Sequence, residues 1–250
     1  MNREATGLAG VRHEAFDTLG STNAEALARA RAGERGPLWI TAKTQNAGRG
    51  RRGNVWASPP GNLYATLLLT EPAPPPMAPQ LSFVAALALH DALCERAPSL
   101  GLALTLKWPN DVLLGGAKLA GILIEGESEL AFAVAIGIGV NCVSHPADVP
   151  FPATDLAAAG ALVTPEALLD ALAASMRRRV AQWQRGEAFS SIRADWLKRA
   201  AGLGQPIKVR LPESELAGVF RGLDEAGRLQ LEQPGGTIAV TAGEVFGFGP

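Results

Sequence analysis

LALTLKWPNDVLLGGAKLAGILIEGESELAFAVAIGIGVNC, residues 102–142, is the stretch whose reading decides the fold. It holds three strand-like segments, 102–108, 118–127 and 130–142, rich in Leu, Ile, Val and Ala. What separates them is turn chemistry: Pro109-Asn110-Asp111 and Gly115-Gly116. Links this short suit antiparallel neighbours, because a parallel pair needs a crossover of about a dozen residues. The expected class is therefore α+β, with a mixed or antiparallel sheet and helices packed on it. Gly121, and the glycines of GIGVN at 137–141, sit inside apolar strands, where a glycine often marks close approach of a ligand or another backbone.

Working outward, Ser21-Thr22-Asn23 precedes an alanine-rich run that stops near Gly33, and Thr22 and Glu25 stand at capping-box spacing. Strands are predicted at 37–45 and 62–70, with a Gly/Arg loop between them. Helices are predicted over 80–96, 165–184 and 190–201. After Gly202 the texture changes to short alternating strands with glycine-centred turns, which suits a β-barrel of about 45 residues. Two domains are expected, 1–202 and 203–250.

The chain has 250 residues, 47% hydrophobic and 19% charged, with a formal net charge of -1. That is a globular composition and a poor electrostatic match to a polyanion. Cys94 and Cys142 are isolated, with no metal-ligand or disulfide spacing, which points to a reducing compartment. The N-terminus has no apolar signal region, and no apolar run reads as a membrane span. The expectation is a soluble cytoplasmic protein.

The loop QNAGRGRRGNVWASPPGN, 45–62, places three arginines and three glycines within residues 48–53. Gly48, Gly50 and Gly53 fit the dinucleotide expression GxGxxG. That fingerprint needs a helix to open at its last glycine, and here Trp56, Pro59, Pro60 and a strand follow. Nonspecific nucleic-acid binding and a merely solvated loop are the other readings. Ordering so flexible a loop costs entropy, which an anionic ligand offsets. No phosphate-loop, nucleophile-elbow or zinc-protease motif is present.

STN, QNAGRGRRGNVWASPPGNLY, KWPNDVLLGGAKLAGILIEGE and IGIGVN occur in that order. In this combination the chain resembles the biotin–protein ligases (biotin–[acetyl-CoA-carboxylase] ligases) nearly end to end. The resemblance implies a class II synthetase-like catalytic domain followed by a small SH3-like barrel, with AGEV at 242–245 near its end. It also implies an activity: biotin and ATP give biotinyl-5′-AMP and pyrophosphate, and the biotinyl group then passes to one lysine of a biotin carboxyl carrier domain.

By the same resemblance, Ser21, Thr22, Asn23 and Gln45 meet biotin's head, with Gly121 in the floor. Arg49, Gly50 and Arg51 belong to a lid over biotin and its activated carboxylate, disordered when empty. Lys118 stands between carboxylate and α-phosphate. Trp56 and Asn141 lie around the adenine, and Lys107, Asn110 and Asp111 near the phosphates. Lys118, Arg51 and Asp111 are the catalytic candidates. Asp111 is either the base for the incoming amine or a turn residue that orients its neighbours. Mg²⁺ arrives with ATP, and no protein ligand is assigned to it.

Twenty residues precede Ser21, too few for the winged helix-turn-helix of relatives that are also repressors, so specific DNA binding is not expected. Asn54 replaces a basic residue common in the family. Lipoate or octanoate transfer on the same fold is the competing enzymatic reading, and a biotin-sensing regulator the non-enzymatic one. Whether the protein is a monomer or a homodimer is not written in the sequence.

Overall fold

The computed structural model describes residues 3–247. Strands β1 (Arg3–Leu8) and β2 (Val11–Leu19) form a hairpin, and helix α1 (Thr22–Arg31) follows. Strands β3 (Leu38–Gln45) and β4 (Leu63–Thr70) flank the Gly/Arg loop. After helix α2 (Leu81–Arg96) come β5 (Leu104–Lys107), β6 (Asp111–Leu114), β7 (Ala117–Glu127) and β8 (Ala133–Val140). The eight strands make one sheet in the order β1-β2-β3-β4-β8-β7-β6-β5. The pair β2–β3 is parallel, with α1 as its crossover, and the remaining pairs are antiparallel. This is the mixed sheet of the α+β class expected from residues 102–142.

That stretch yields four strands rather than three. Asp111–Leu114 pairs with β5 on one side and β7 on the other, and all four of its residues are buried. Four residues between two tight turns are enough to extend a meander, so the segment between the turn signals is itself a strand.

Register then assembles the floor of a cavity. Lys107 pairs with Asp111, Asp111 with Gly121, Gly121 with Gly139 and Gly139 with Tyr64. One row thus crosses five strands. A second row, Thr66, Gly137 and Leu123, lies two residues along on the same face. The alternate residues, among them Ile122, Ile136 and Ile138, face the main core with α2.

Helix α1 covers the cavity side of the sheet. Its N-cap is Ser21, whose hydroxyl accepts from the Ala24 N–H at 3.4 Å. The capping box read at Thr22 and Glu25 does not form: Glu25 pairs instead with Arg29 at 2.8 Å. Thr22 is left free to serve the cavity.

On the other side, α2 packs with α3 (Pro165–Trp183) and α4 (Phe189–Leu197). Pro75–Arg96 is long and apolar enough to cross a membrane by length and composition alone, but it is interrupted by Pro79. In the fold it is the core helix, with Leu81, Val84, Ala85, Leu87, Ala88 and Leu89 wholly buried.

The last segment forms a five-stranded antiparallel sheet from β9 (Pro206–Arg210), β10 (Glu215–Leu223), β11 (Leu229–Gln233), β12 (Gly236–Val240) and β13 (Glu244–Phe246). Its order is β12-β11-β10-β9-β13. It is not tethered loosely. Ile207, Val209 and Phe220 share the main core, and Trp108 Nε1 donates to the Gly227 carbonyl at 3.1 Å. Gly227, at φ +80°, comes so close to Phe83 that an added Cβ would lie 2.8 Å from its ring.

Candidate active site

The two glycine-bearing rows leave a trough in the sheet under the Gly/Arg loop. A Cβ at Gly137 would lie 2.4 Å from Asn23 Oδ1, and one at Gly139 2.6 Å from the Trp56 indole. At Gly121 it would lie 3.0 Å from the same ring. Trp56 therefore rests flat on Gly121 and Gly139, so the expected adenine-side and floor residues are in contact. Its Nε1 is buried without a hydrogen-bond partner among the described residues. A donor in this setting costs about 1–3 kcal/mol unless something accepts from it.

At the far end of the row three charges are locked together. Asp111 is 6% exposed, and its Oδ2 lies 2.9 Å from Lys107 Nζ. Its Oδ1 meets Lys118 Nζ at 2.8 Å as an ion pair without an aligned hydrogen bond. Burial pushes the carboxyl pKa up, but the two ammonium groups outweigh it and hold the group below its ordinary value. Asp111 is ionised, and the trio carries one net positive charge. Lys118 Nζ also sits 5.5 Å from the Trp56 ring centre and 5.3 Å from that of Phe151, within cation–π range.

The opposite end is built from uncharged polar groups, with the Arg49–Glu125 ion pair bonded to one of them, Asn23. Gln45 Oε1 accepts from the Thr22 backbone N–H at 2.8 Å and its hydroxyl at 3.2 Å. Thr66 Oγ1 donates to Asn23 Oδ1 at 2.7 Å and lies 2.8 Å from the Thr22 hydroxyl. Buried donors and acceptors beside a smooth glycine floor suit a flat, polar-headed ligand.

The Gly/Arg loop closes the trough. It is folded as a small hairpin: Gly50 N–H donates to Asn54 O at 2.7 Å and Trp56 N–H to Gly48 O at 3.0 Å. Arg51 Nη1 reaches the Gly243 carbonyl of the second sheet at 3.2 Å and lies 3.5 Å from Asn110 Oδ1. The Asn110 amide is otherwise used to donate to Ile122 O at 2.7 Å. Asn141 Nδ2 donates to Thr154 O at 3.0 Å, fixing a further loop that brings Phe151 over Lys118. That loop is tied again where His145 Nδ1 meets Asp155 Oδ2 at 2.6 Å.

The cavity measures about 970 Å³, and every candidate biotin, ATP or catalytic residue, from Ser21 to Asn141, lines it. Several lining residues were not singled out: Tyr64, Phe151, Arg210 and Phe246. Burial pushes the Tyr64 phenol up to about 12, and it donates to Pro59 O at 2.7 Å. Glu125, on β7, was also missed although it binds Arg49. An acid at the end of the apolar stretch LAGILI, in KLAGILIEGE, was the available signal for it. None existed for Arg210 and Phe246, which tertiary docking alone brings here.

A mixed sheet holding a glycine-floored cavity, with uncharged polar groups at one end and lysines at the other, defines a ligase that joins a carboxylate to a nucleotide. Residues 21–141 match the Biotin/lipoate A/B protein ligase family, and residues 202–246 match the Biotin protein ligase C terminal domain. The chain is 46% identical over 236 residues to a biotin–[acetyl-CoA-carboxylase] ligase of Paracoccus denitrificans, covering 90% of this chain and 96% of the relative. It is 35% identical over 235 residues to the Mycobacterium tuberculosis ligase of the same name, covering 90% and 85%. The biotin protein ligase of Aquifex aeolicus, in complex with biotin and ATP, superposes with a TM-score of 0.78 at 25% identity, covering 94% of this chain and 97% of that one. The chain belongs to the biotin protein ligases.

Proposed function

We infer that the chain activates biotin with ATP and transfers the biotinyl group to a lysine of the carrier domain of acetyl-CoA carboxylase or a related carboxylase. In the first half-reaction a biotin carboxylate oxygen bonds to the α-phosphorus of ATP, and the bond to the bridging oxygen breaks, releasing pyrophosphate. In the second, the carrier lysine's amine attacks the acyl carbon and AMP leaves.

The observation that carries this reading is the polarity of the cavity: neutral hydrogen-bonding groups at Ser21, Thr22, Asn23 and Gln45, cations at Lys107 and Lys118. The neutral end suits the ureido head, which offers a carbonyl and two N–H groups. At the charged end, Lys118 is placed to sit between carboxylate and α-phosphate, where negative charge gathers as the new bond forms. Lys107 and Asn110 receive the phosphates, Trp56 and Asn141 the adenine, and Arg51 the activated carboxylate. Arg49, Gly50 and Gly121 contact biotin through the lid and the floor. Closure of the lid keeps water from the mixed anhydride.

Asp111 is assigned an orienting role. A buried carboxylate that two ammonium groups hold below its ordinary pKa is a weak base. Both of its oxygens are engaged by ammonium groups, so no metal is assigned to it. Mg²⁺ enters bound to ATP.

The catalytic domain is taken as 1–202 and the SH3-like domain as 203–250, which contributes Arg210 and Phe246 to the cavity. We place the protein in the cytoplasm without specific DNA binding, a reading supported by its near-neutral charge.

The experiment is ATP–pyrophosphate exchange with biotin, with lipoate, with octanoate and with no acid. Exchange that needs biotin supports the reading. Exchange with lipoate or octanoate moves the chain to the sister branch of the family, and none with any acid, in folded protein, overturns it.

A further inference from the structure

A chain of polar contacts links the two ends of the lid around the cavity. Arg49 grips Glu125 as a fork, Nε to Oε1 at 3.1 Å and Nη2 to Oε2 at 3.2 Å. Glu125 Oε2 accepts from Asn23 Nδ2 at 2.8 Å, and the other end of that amide accepts from Thr66. The Thr66 hydroxyl also lies 2.8 Å from that of Thr22, the Thr22 backbone N–H donates to Gln45 Oε1 at 2.8 Å, and Gln45 Nε2 donates to Ser58 Oγ at 3.0 Å. Ser58 in turn donates to the Trp56 carbonyl at 2.9 Å, which is the far end of the lid.

Three of the linking residues, Thr22, Asn23 and Thr66, are at most 4% exposed, so water does not substitute for their bonds. Asn23 cannot shift toward the floor either, because Gly137 already stands against its amide. An amide has two chemically different ends, and a carboxylate only accepts. Glu125 therefore fixes Asn23 with its NH₂ toward β7 and its oxygen toward Thr66.

We propose that Glu125 is a positioning residue that couples closure of the Gly/Arg lid to recognition of the biotin head. The carboxylate is shared: one side orients the head-group amide, and both oxygens hold the lid arginine. A ligand that settles Asn23, Thr22 and Gln45 thereby also settles the two ends of the lid. The inference rests on the biotin–adenylate reading above. It goes beyond it by assigning a role to a residue that does not reach the reacting atoms.

The test uses the full chain and the variants Glu125→Gln and Arg49→Gln, each checked by circular dichroism and thermal melting. Lid closure is read as protection from trypsin at Arg49, Arg51 and Arg52 in the presence of biotin and ATP. Retention is read as the rate at which biotinyl-adenylate escapes in the absence of carrier.

In the wild type, biotin with ATP protects the loop. Glu125→Gln speeds escape of the adenylate by about tenfold, the effect of one half-exposed charged fork. It raises the KM for biotin more than it lowers kcat of exchange. The double variant is no worse than the worse single one, since both remove the same contact. Folded Glu125→Gln protein with wild-type protection and wild-type escape overturns the latch, as does a double variant whose losses multiply. A wild type that fails to exchange pyrophosphate overturns the biotin reading instead, so the two failures are distinct.

Discussion

The floor and the lid of the cavity both carry positive charge, but they hold it in different ways. Lys107 and Lys118 stand on strands, their side chains only 10% and 19% exposed, each against Asp111. Arg51 and Arg52 stand on a three-residue turn, with Arg52 exposed and at φ 57°. The floor's charges are in place before any ligand enters, so they stabilise developing charge without reorganising. The lid's charges depend on a loop conformation held by a few polar contacts. This suits capture and enclosure better than chemistry.

Removing the anchor of the floor is the severest way to break the contrast. Asp111→Ala leaves two buried ammonium groups facing each other, and stability falls by about 3–5 kcal/mol, read by urea unfolding. The milder Asp111→Asn lowers both half-reactions, adenylation by about a hundredfold. Loss of transfer to the carrier alone would instead make Asp111 the base.

Acid tests the same group. Its folded pKa lies below the ordinary carboxylate value, so its stabilising contribution is present above that value and lost as pH falls through the folded one. Asp111→Asn is therefore less stable than the wild type at neutral pH, and the gap between them narrows as the solution is acidified.

Lys118→Ala comes next. Pyrophosphate exchange falls by about a hundredfold while biotin binding, measured by calorimetry, weakens by about tenfold or less. An equal loss in both would mean that Lys118 only binds.

Gly139→Ala has a smaller effect. The new methyl overlaps the Trp56 indole, so ligand binding weakens by about tenfold with Tm lowered only slightly, because the ring rather than the strand gives way.

Arg52→Ala is the gentlest. Its effect on exchange stays within about threefold and fades as salt is raised, the behaviour of an exposed charge. A loss as large as that of Lys118→Ala, insensitive to salt, would erase the distinction between floor and lid.

Much of the fold was legible in turn chemistry. Pro109-Asn110-Asp111 and Gly115-Gly116 announced a meander, Gly33 closed the first helix, and the glycine-centred turns after residue 202 announced the small β sheet. The strand at 111–114 was missed because it lies between two turn signals that together spoke louder than its three apolar residues. The capping box at Thr22 and Glu25 was a true spacing put to no use: Ser21 lies one residue earlier in extended backbone, which is where a cap must be. Strands β1 and β2 carry charged and polar residues that hide their period, and only pairing with β3 reveals β2 as part of the sheet.

The sequence by itself determined which residues belong together. The order of its polar and glycine motifs picked out side chains that all line one cavity. Local chemistry suffices for that, since turns, caps and strand glycines act over a few residues. Only the tertiary structure decided how they are joined. Register put Lys107, Asp111, Gly121, Gly139 and Tyr64 in one row across five strands, although they are spread over nearly eighty residues of chain. Packing brought Glu125 under Arg49 and the carbonyl of Gly243 to Arg51. Those contacts depend on burial and on long-range pairing, which no short window of sequence contains.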